Sequence, residues 1–554
     1  MGKEGRAAPG GAEMNTAYET LRRFRNFRYV LVLEGALVGV LGGVVSVLYR
    51  LLIEKVQQLP GLVREAAASR PWLIPLWFFI LLLLAGAVTF FVKAEPYISG
   101  SGIPQVEAEI HGQIRQKWWK VILYKIAGGA ICIGAGLSLG REGPSIQLGG
   151  MAAKGFSRAT HRVRIEEKLL ITCGASAGLS AAFNAPFAGV LFSLEELHKN
   201  FSVEVLLSTM AASVASDFVS RNVFGLTPIF EFHIESVMPL RSYWLILLLG
   251  IVLGLLGVLY QKTLRKTQWL YGKLPGIFGR YRLAIPFLLA GVFCFLCPEV
   301  LGGGSSLMPA LTGQQFLLSF TLVLFILKFF FSMASFSSGA PGGIFLPLLV
   351  LGALAGGAFG TVAIALGAVE GTYFQNFIIL AMAGYFAAIV RAPITGIVLI
   401  CEMTGSFTQL LSLTLVSLSA YVVADLLKCE PVYDYLLRRL VGRGEEGKDA
   451  EDEARVLLEI PVHHGSPACG KSIGHIPWPK DCLIVSVRRD GGEVLPKGGT
   501  AIHAGDVIVL LSREQEAFFV REAVTELCQT MEPYGAGRRI RLRRSGRKRM
   551  DGRK

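Results

Sequence analysis

The stretch KIAGGAICIGAGLSLGREGPSIQLGGMAA, residues 125–153, places an arginine and a glutamate side by side inside a long apolar run. A charged side chain within a membrane segment is costly, so it is by default a hypothesis about function. Glycine and proline at residues 140–144 mark the point where one helix stops and another starts. The stretch therefore predicts a helix break inside a membrane, with Arg141 and Glu142 at the break.

The composition of the whole chain agrees with a membrane protein. The 554 residues are 52% hydrophobic and only 17% charged, which is less charge than a soluble protein of this length carries. About eleven apolar windows approach the roughly 20 residues that a spanning helix needs. They are too long and too uniformly apolar for barrel strands. We therefore expect an all-α polytopic membrane domain; its clear windows begin near Tyr29, Trp72, Lys120, Leu169, Trp244, Ile285, Phe316, Gly343, Phe377 and Leu410.

Changes in composition along the chain predict five parts. The first apolar run is too long for a cleavable signal peptide, and the basic stretch RRFRNFR before it predicts a cytoplasmic N-terminus. The parts are a polar disordered leader (1–28), a membrane domain (29–440), a charged linker (441–454), a small soluble α/β (α+β) domain (455–531) and a basic disordered tail (532–554).

The net charge of +14 is concentrated in the tail, because residues 538–554 hold ten Lys/Arg and one Asp. No aromatic cluster or nucleic-acid fold accompanies this charge, so we expect a solvated tail that contacts anionic lipid and no nucleic-acid partner. The nine cysteines are scattered. Cys294 and Cys297 lie in an apolar context without His or Asp, which favours buried thiols over a metal site.

An internal repeat is visible within the membrane domain. NAPFAGVLFSLEE (184–196) aligns with RAPITGIVLICEM (391–403). Glu195 and Glu402 occupy the same place in the two copies, 207 residues apart. Duplicated halves in a membrane protein indicate transport through the interface between the repeats.

Four Gly/Pro-rich breaks interrupt the apolar runs. A helix N-terminus carries partial positive charge and free N–H donors, which suits an anion. Any single break also fits a simple packing notch, but four in one chain favour an anion pathway. The breaks are GSGIP (100–104), GREGP (140–144), GGGSSLMP (302–309) and GAPGGIFLP (339–347).

GSGIP, GREGP and GGIFLP resemble, in order and spacing, the three signature motifs of the chloride channel/transporter (CLC) family. The resemblance covers residues 29–440. It implies two inverted repeats with broken helices and a homodimer with a pore in each subunit. It further implies chloride transport across the plasma (inner) membrane, with both termini cytoplasmic.

The resemblance also implies a set of chloride-binding residues. The hydroxyls of Ser101 and Tyr433 are expected to contact the ion, with Tyr435 as an alternative to Tyr433. A serine in the first motif suits chloride. Arg141 belongs to the second motif, but we interpret its guanidinium as pairing with protein carboxylates outside the pore. The candidate residues are Ser101, Gly102, Ile103, Arg141, Gly143, Ile344, Phe345 and Tyr433, with Gly343 and Pro347 in the same motif as Phe345.

In this interpretation Glu142 is both gate and proton carrier. Its carboxylate mimics the anion and blocks the site, and protonation removes the charge that holds it there. Occupied anion sites nearby disfavour its ionisation, because like charges repel. This accounts for a glutamate in the apolar stretch.

A second glutamate decides between an exchanger and a channel. The resemblance makes Glu196 the cytoplasmic proton glutamate, while the repeat makes its neighbour Glu195 structural. The two point about 100° apart on a helix and cannot do the same job. The alternative for Glu196 is a surface residue at a helix end. We expect a chloride/proton antiporter regulated by a cytoplasmic domain; the alternative is a passive voltage- or pH-gated chloride channel.

Two positions depart from the family pattern, and no enzyme signature is present. Gln105 stands where many members have Glu, and Leu346 stands where alanine is common. We find no metal-ligand cluster, nucleophile–base pair or phosphate loop, since the P-loop lysine is missing. We therefore expect no enzyme and no cofactor, with chloride and protons as substrates.

The soluble domain resembles the TrkA C-terminal domain of potassium-transport regulators, chiefly in LPKGGTAIHAGDVIVLLS (495–512). The patterns predict strands over ARVLLEI, CLIVSVRR and DVIVLLS and a closing helix over REQEAFFVREAVTELCQ. The resemblance implies dimerisation and a small regulatory ligand such as a nucleotide. His463, His464 and His475 are weak metal candidates, because adjacent residues on a strand face opposite ways.

Overall fold

The computed structural model divides the chain into two compact units, residues 1–443 and 444–554, which are treated separately. The residues described are 10–162, 164–199, 202–226, 228–230, 232, 236–304, 307–313, 317–442, 455–479, 482–489, 492–513 and 517–529. The predicted tail (532–554), and all of the linker except residues 441–442, lie outside the described residues.

The described residues of the first unit form helices joined by loops, with two isolated β-bridges, Gly100 to Pro341 and Gly140 to Gly343. Its first half contains α1 (Gly10–Val56), α2 (Leu59–Ser69), α3 (Leu73–Ala94), α4 (Ile103–His111), α5 (Trp118–Gly134), α6 (Glu142–Ala159), α7 (Arg164–Phe183), α8 (Pro186–Phe192), a π-helix (Ser193–His198) and α9 (Val203–Phe224). Its second half contains α10 (Tyr243–Gly272), α11 (Gly276–Arg280), α12 (Ala284–Leu296), α13 (Leu307–Gly313), α14 (Leu318–Ser337), α15 (Phe345–Ala365), α16 (Phe374–Val390), α17 (Pro393–Thr404), α18 (Leu410–Leu426) and α19 (Val432–Gly442). Short 3₁₀ helices cover Pro96–Ile98, Leu240–Ser242, Pro298–Val300 and Gly371–Tyr373.

Every clear apolar window of the sequence is a helix, so the prediction of a polytopic helical membrane domain is confirmed. Among the described residues, six helical segments are long and apolar enough to cross a membrane by themselves. The others are shorter or more polar, as expected for helices that break inside the bilayer. The six segments are Tyr29–Ser69, Leu73–Ala94, Leu240–Gly272, Leu318–Ser337, Phe345–Ala365 and Gly371–Val390.

The N-terminal region differs from the expected disordered leader. Helix α1 begins at Gly10, so residues 10–28 continue the first helix towards the N-terminus. Arginine is the commonest residue in this stretch, and together with its alanines and glutamates it favours helix. Residues 1–9 lie outside the described part of the chain.

The same sequence of elements occurs twice. In each half, an apolar helix (α3 or α12) leads through a 3₁₀ turn to a short helix (α4 or α13). The chain continues through α5–α7 or α14–α16 to a short helix that starts with proline (α8 or α17). Helix pairs α6–α7 and α15–α16 pack closely in equivalent ways. A Cβ built on Gly149 would collide with the Gly174 backbone, and one built on Gly352 would collide with the Ala381 backbone. The repeat seen in the sequence is therefore a repeat of structure.

The second unit is a small antiparallel sheet with one helix. Its elements are β1 (Arg455–Pro461), β2 (Cys482–Arg489), β3 (Gly492–Val494), β4 (Val507–Arg513) and α20 (Ala517–Gln529), with strand order β1-β4-β2-β3. The three predicted strands and the helix are confirmed, and β3 is an additional strand.

One ion pair supports this sheet. Asp506 is buried and accepts two 2.8 Å hydrogen bonds from the guanidinium of Arg489. This contact lowers the pKa of the Asp506 carboxyl below its usual range.

Candidate anion-binding site

Backbone hydrogen bonds join three of the four Gly/Pro-rich breaks, namely GSGIP, GREGP and GAPGGIFLP. Gly140 and Gly343 exchange two such bonds, N–H to carbonyl, of 2.7 and 2.8 Å. The Gly100 amide donates to the Ala340 carbonyl (3.2 Å), and the Gly342 amide donates to the Gly100 carbonyl (3.0 Å). These bonds bring the starts of α4, α6 and α15, which are far apart in sequence, to one place.

Glycine is needed where these backbones approach. A Cβ on Gly143 would lie 2.5 Å from the Ser101 hydroxyl oxygen, and one on Gly343 would lie 3.1 Å from the Gly143 nitrogen. Gly102 has φ of +100°, a left-handed conformation that L side chains rarely adopt. The helix N-termini therefore meet at backbone contact distance.

Two fully buried lysines hold the loops before the breaks. The Lys125 ammonium donates to the carbonyls of Ile98 and Gly100, both at 2.8 Å. In the second half, the Lys328 ammonium donates to three successive carbonyls, including Val300 at 2.8 Å and Gly302 at 2.5 Å. Neither lysine was predicted from the sequence. The signal is a lysine at the same place in each repeat, Lys125 in α5 and Lys328 in α14, within a mostly apolar helix.

The hydroxyls of Ser101 and Tyr433 lie close to each other in the buried interior. Neither oxygen has a hydrogen-bond partner of normal geometry among the described residues. Each hydroxyl carries one O–H donor, so the two together can donate to a small anion. Tyr435, the alternative to Tyr433, instead donates to the Gln268 side chain at 3.3 Å.

Aromatic rings enclose this place. Phe345, at the start of α15, is fully buried and its ring centroid lies 6.1 Å from that of Phe192. Phe192 in turn meets the Tyr433 ring edge-on at 6.4 Å. Phe183 and Phe386 complete the packing around Phe345 at 5.2 and 4.7 Å. A small ion next to the Tyr433 hydroxyl would be screened from water on the side that these rings cover.

The carboxyl of Glu142 folds back over the start of its own helix. It faces the backbone amides of Glu142 itself and of Leu346, and the side chain is 1% exposed. A Cβ built on Gly140 would overlap its Oε2 atom. A negative side chain thus occupies a position at two helix N-termini, where an anion is stabilised.

Arg141 is directed away from this carboxyl and pairs with another. Its Nη1 lies 3.1 Å from Oε1 of Glu54, which also accepts a 3.0 Å bond from Arg50. Arg50 continues to the Asn184 side chain at 3.0 Å. The expectation that Arg141 pairs with a protein carboxylate is confirmed.

Glu195 and Glu402 each cap the start of a helix in the opposite repeat. The Glu195 carboxylate accepts the Thr395 amide at 2.9 Å and the Thr395 hydroxyl at 2.7 Å, at the start of α17. The Glu402 carboxylate accepts the amides of Phe187 (3.1 Å) and Ala188 (2.8 Å), at the start of α8. The structural role predicted for Glu195 from the repeat is confirmed.

Glu196, the neighbouring glutamate, points into a different environment. It is 5% exposed, and its Oε1 has no hydrogen-bond partner among the described residues. It lies in the π-helix Ser193–His198, which packs against α4 and α7. The structure therefore places Glu196 inside the protein and not on a surface helix end.

The two departures from the family pattern have local roles. The Gln105 side chain donates to the Ser99 carbonyl at 2.6 Å and so supports the loop before α4. Leu346 packs above Gly303 in the second repeat while its amide faces Glu142. Neither side chain takes the place of a predicted ion-contacting hydroxyl.

No group of three or more metal-ligating side chains occurs among the residues that the structure describes. Of the three candidate histidines, His475 bonds the Ser472 hydroxyl at 2.6 Å. The Cys294 thiol is buried and donates to the Pro60 carbonyl at 3.3 Å.

The family model described as "Voltage gated chloride channel" matches residues 81–425, which is more than half of the chain. The chain belongs to the voltage-gated chloride channel family. A second model, described as "TrkA-C domain", matches residues 457–517. Both resemblances drawn from the sequence motifs are thereby confirmed.

Members of this family with curated names are similar over most of their length. One is the H(+)/Cl(-) exchange transporter ClcA of Yersinia pestis bv. Antiqua (strain Angola), 35% identical over 451 residues, covering 80% of this chain and 93% of that protein. The ClcA protein of Salmonella paratyphi B (strain ATCC BAA-1250 / SPB7) is 36% identical over 438 residues, covering 77% and 91%. These relatives are transporters, which supports the exclusion of an enzyme.

Solved structures of the family share the fold. A slow cyanobacterial Cl-/H+ antiporter superposes with a TM-score of 0.72 at 27% identity, covering 76% of this chain and 99% of that one. A eukaryotic CLC transporter superposes with a TM-score of 0.63 at 18% identity, covering 92% and 91%, and shows the fold alone. The chain is a multi-pass membrane protein with the CLC fold.

The reciprocal caps generate a stability prediction. Glu195→Ala and Glu402→Ala should each destabilise the membrane domain by about 2 kcal/mol, because a charge-assisted capping bond between the repeats is lost. Thermal unfolding of the purified protein in detergent measures this loss of stability. The substitution Glu196→Ala, at the neighbouring glutamate, is the matched control. If Glu195→Ala left stability unchanged and only abolished proton movement, the structural assignment of Glu195 would be wrong.

Proposed function

We propose that this chain is a chloride/proton antiporter that moves chloride across the plasma (inner) membrane in exchange for protons. The observation that carries the proposal is the Glu142 carboxyl, which faces the amides at two helix starts. Anion and carboxylate compete for the same donors there. The names of the relatives, an H(+)/Cl(-) exchange transporter and a Cl-/H+ antiporter, support the same function.

The chloride route in this proposal uses hydroxyl and amide donors without a full positive charge. Ser101 and Tyr433 supply hydroxyls, and the amides near Ile344, Phe345 and Gly143 supply helix-end dipoles. Such donors bind a halide moderately, which permits release. Arg141 is occupied by Glu54, so its charge does not trap the ion.

The proton route uses the two buried glutamates. Protonation of Glu142 removes the charge that holds its carboxyl at the amides and frees that position for chloride. Glu196 supplies and receives protons on the cytoplasmic side. Tyr433 lies near both glutamates, so the two routes meet at the anion site and separate towards Glu196.

The assembly and the regulation are further parts of the proposal. We place both termini in the cytoplasm and propose a homodimer, as the resemblance to the family implies. The particle mass in detergent tests the dimer. The TrkA-C domain is proposed to regulate transport by binding a small ligand, of which nucleotides are one class, and a nucleotide-induced change in flux tests that role.

The first prediction is uphill proton movement. Purified protein in liposomes with an outward chloride gradient, and with no proton gradient imposed, should drive protons inward. Glu142→Gln and Glu196→Gln should abolish the proton movement, while Glu196→Gln still passes chloride. Chloride flux without proton movement in the wild type would make the protein a passive channel, and absence of chloride flux would contradict the proposal as a whole.

The second prediction tests the gate through Gly140. Gly140→Ala should push the Glu142 carboxyl off the amides, because the new Cβ would overlap its Oε2. The clashing atom is the far end of a flexible side chain, so the carboxyl can yield without backbone strain, and chloride efflux at neutral pH should rise above that of the wild type.

A matched control is Gly150→Ala in α6, the helix that begins just after Gly140, where a Cβ meets its nearest neighbour at an ordinary 3.5 Å. In a Glu142→Gln background, Gly140→Ala should not change chloride efflux any further. Wild-type efflux in Gly140→Ala would show that the carboxyl does not block the route from this position.

A further inference from the structure

Three elements of the membrane domain meet at an ion-pair bridge. The Lys199 ammonium lies 2.8 Å from Oε1 of Glu107 and 2.6 Å from Oδ1 of Asp434. The Glu107 side chain is 1% exposed, whereas those of Lys199 and Asp434 are 41% and 35% exposed. One partly solvated cation thus neutralises two carboxylates, one of which is deeply buried.

The bridge joins the elements that carry the functional residues. Glu107 lies in α4, which starts directly after Ser101 and Gly102. Lys199 follows the π-helix that carries Glu196. Asp434 is the residue after Tyr433 in α19. A change at the bridge is therefore transmitted directly to the surroundings of the proposed proton glutamate.

The backbone at Lys199 is fixed in an uncommon conformation. Its φ is +52°, in the left-handed region that residues other than glycine rarely adopt. This conformation ends the π-helix and directs the side chain to the two carboxylates.

Several charged and titratable groups surround Glu196. Glu107 faces it from α4, Asp434 and Tyr433 face it from α19, and Glu195 and Lys199 lie on either side of it in its own segment. Further out, His198 lies near His111 of α4 and Lys168 of α7. Oε2 of Glu107 and Oε1 of Glu196 both lack hydrogen-bond partners among the described residues.

The charge balance around Glu196 depends on Lys199. With the lysine present, Glu107, Lys199 and Asp434 sum to one negative charge. Without it they sum to two, and like charges favour the protonated form of a neighbouring carboxyl. The Lys199 charge also acts on Glu196 itself.

We propose that Lys199 is a positioning residue for proton exchange: held between Glu107 and Asp434, it sets the range of cytoplasmic pH over which Glu196 takes up and releases protons. The inference deepens the proposed antiport and rests on it. Lys199 acts through the carboxylates and through Glu196, and it contacts neither ion.

The test measures proton-coupled flux in liposomes as a function of pH on the cytoplasmic side. Lys199→Met should move the midpoint of this pH dependence upward by roughly one pH unit, because Glu196 then binds its proton more tightly. Asp434→Asn should move the midpoint downward, since one negative charge is removed. The double variant restores the net charge, and its midpoint should return towards that of the wild type.

Controls separate an electrostatic role from a structural one. Lys199→Arg keeps the charge and should behave as wild type, as should Lys273→Met, whose ammonium lies over the Trp269 ring. In a Glu196→Gln background, Lys199→Met should leave the rate of chloride flux unchanged.

The outcomes distinguish this inference from the proposed function. If the wild type moves no protons, the antiport itself fails. If the wild type exchanges chloride for protons and all variants have the same pH midpoint as the wild type, Lys199 does not act on Glu196. If Lys199→Met slows chloride flux in the Glu196→Gln background and the double variant does not recover the midpoint, the bridge only holds the elements together.

Discussion

The site depends on one backbone constraint, the pair of hydrogen bonds between Gly140 and Gly343. Together with the bonds of Gly100 to Ala340 and Gly342, they fix three helix starts within contact of one another. Only glycine allows this approach, because a Cβ at Gly143 or Gly343 would enter the neighbouring backbone or hydroxyl. The donors for an anion are thus set by the main chain, and the side chains Ser101, Glu142 and Tyr433 act around that fixed frame.

The internal repeat supplies the supports of this frame in pairs. Lys125 and Lys328 hold equivalent loop carbonyls, and Glu195 and Glu402 cap equivalent short helices across the repeat interface. The two halves have different functional roles at the positions where their residues differ. The first half has Glu142 at the start of α6, while the second half has Phe345 at the start of α15, so one half carries the gate and the other closes the wall.

The motifs predicted the helix breaks and the repeat, because glycine and proline interrupt membrane helices. The cost of an intramembrane glutamate marked Glu142 as a functional candidate, and the other residues of the anion site were implied by the resemblance to the CLC family. The repeat and the resemblance to the CLC family distinguished Glu195 from Glu196, and helical geometry showed only that their side chains point in different directions. The lysines were missed, since one cation in an apolar helix gives no sign of the carbonyls it will meet. Contacts such as Lys199 with Glu107 and Asp434 join residues 92 and 235 positions apart, and no local pattern encodes them.

The central claim is that an anion and the Glu142 carboxyl compete for the same helix-end donors. Anomalous diffraction from crystals grown in bromide would test it most directly. The account predicts one bromide between the hydroxyls of Ser101 and Tyr433 in the wild type, and a second at the amides of Glu142 and Leu346 only in Glu142→Gln. A second bromide in the wild type with the carboxyl still in place, or none near Ser101 in either protein, would contradict it.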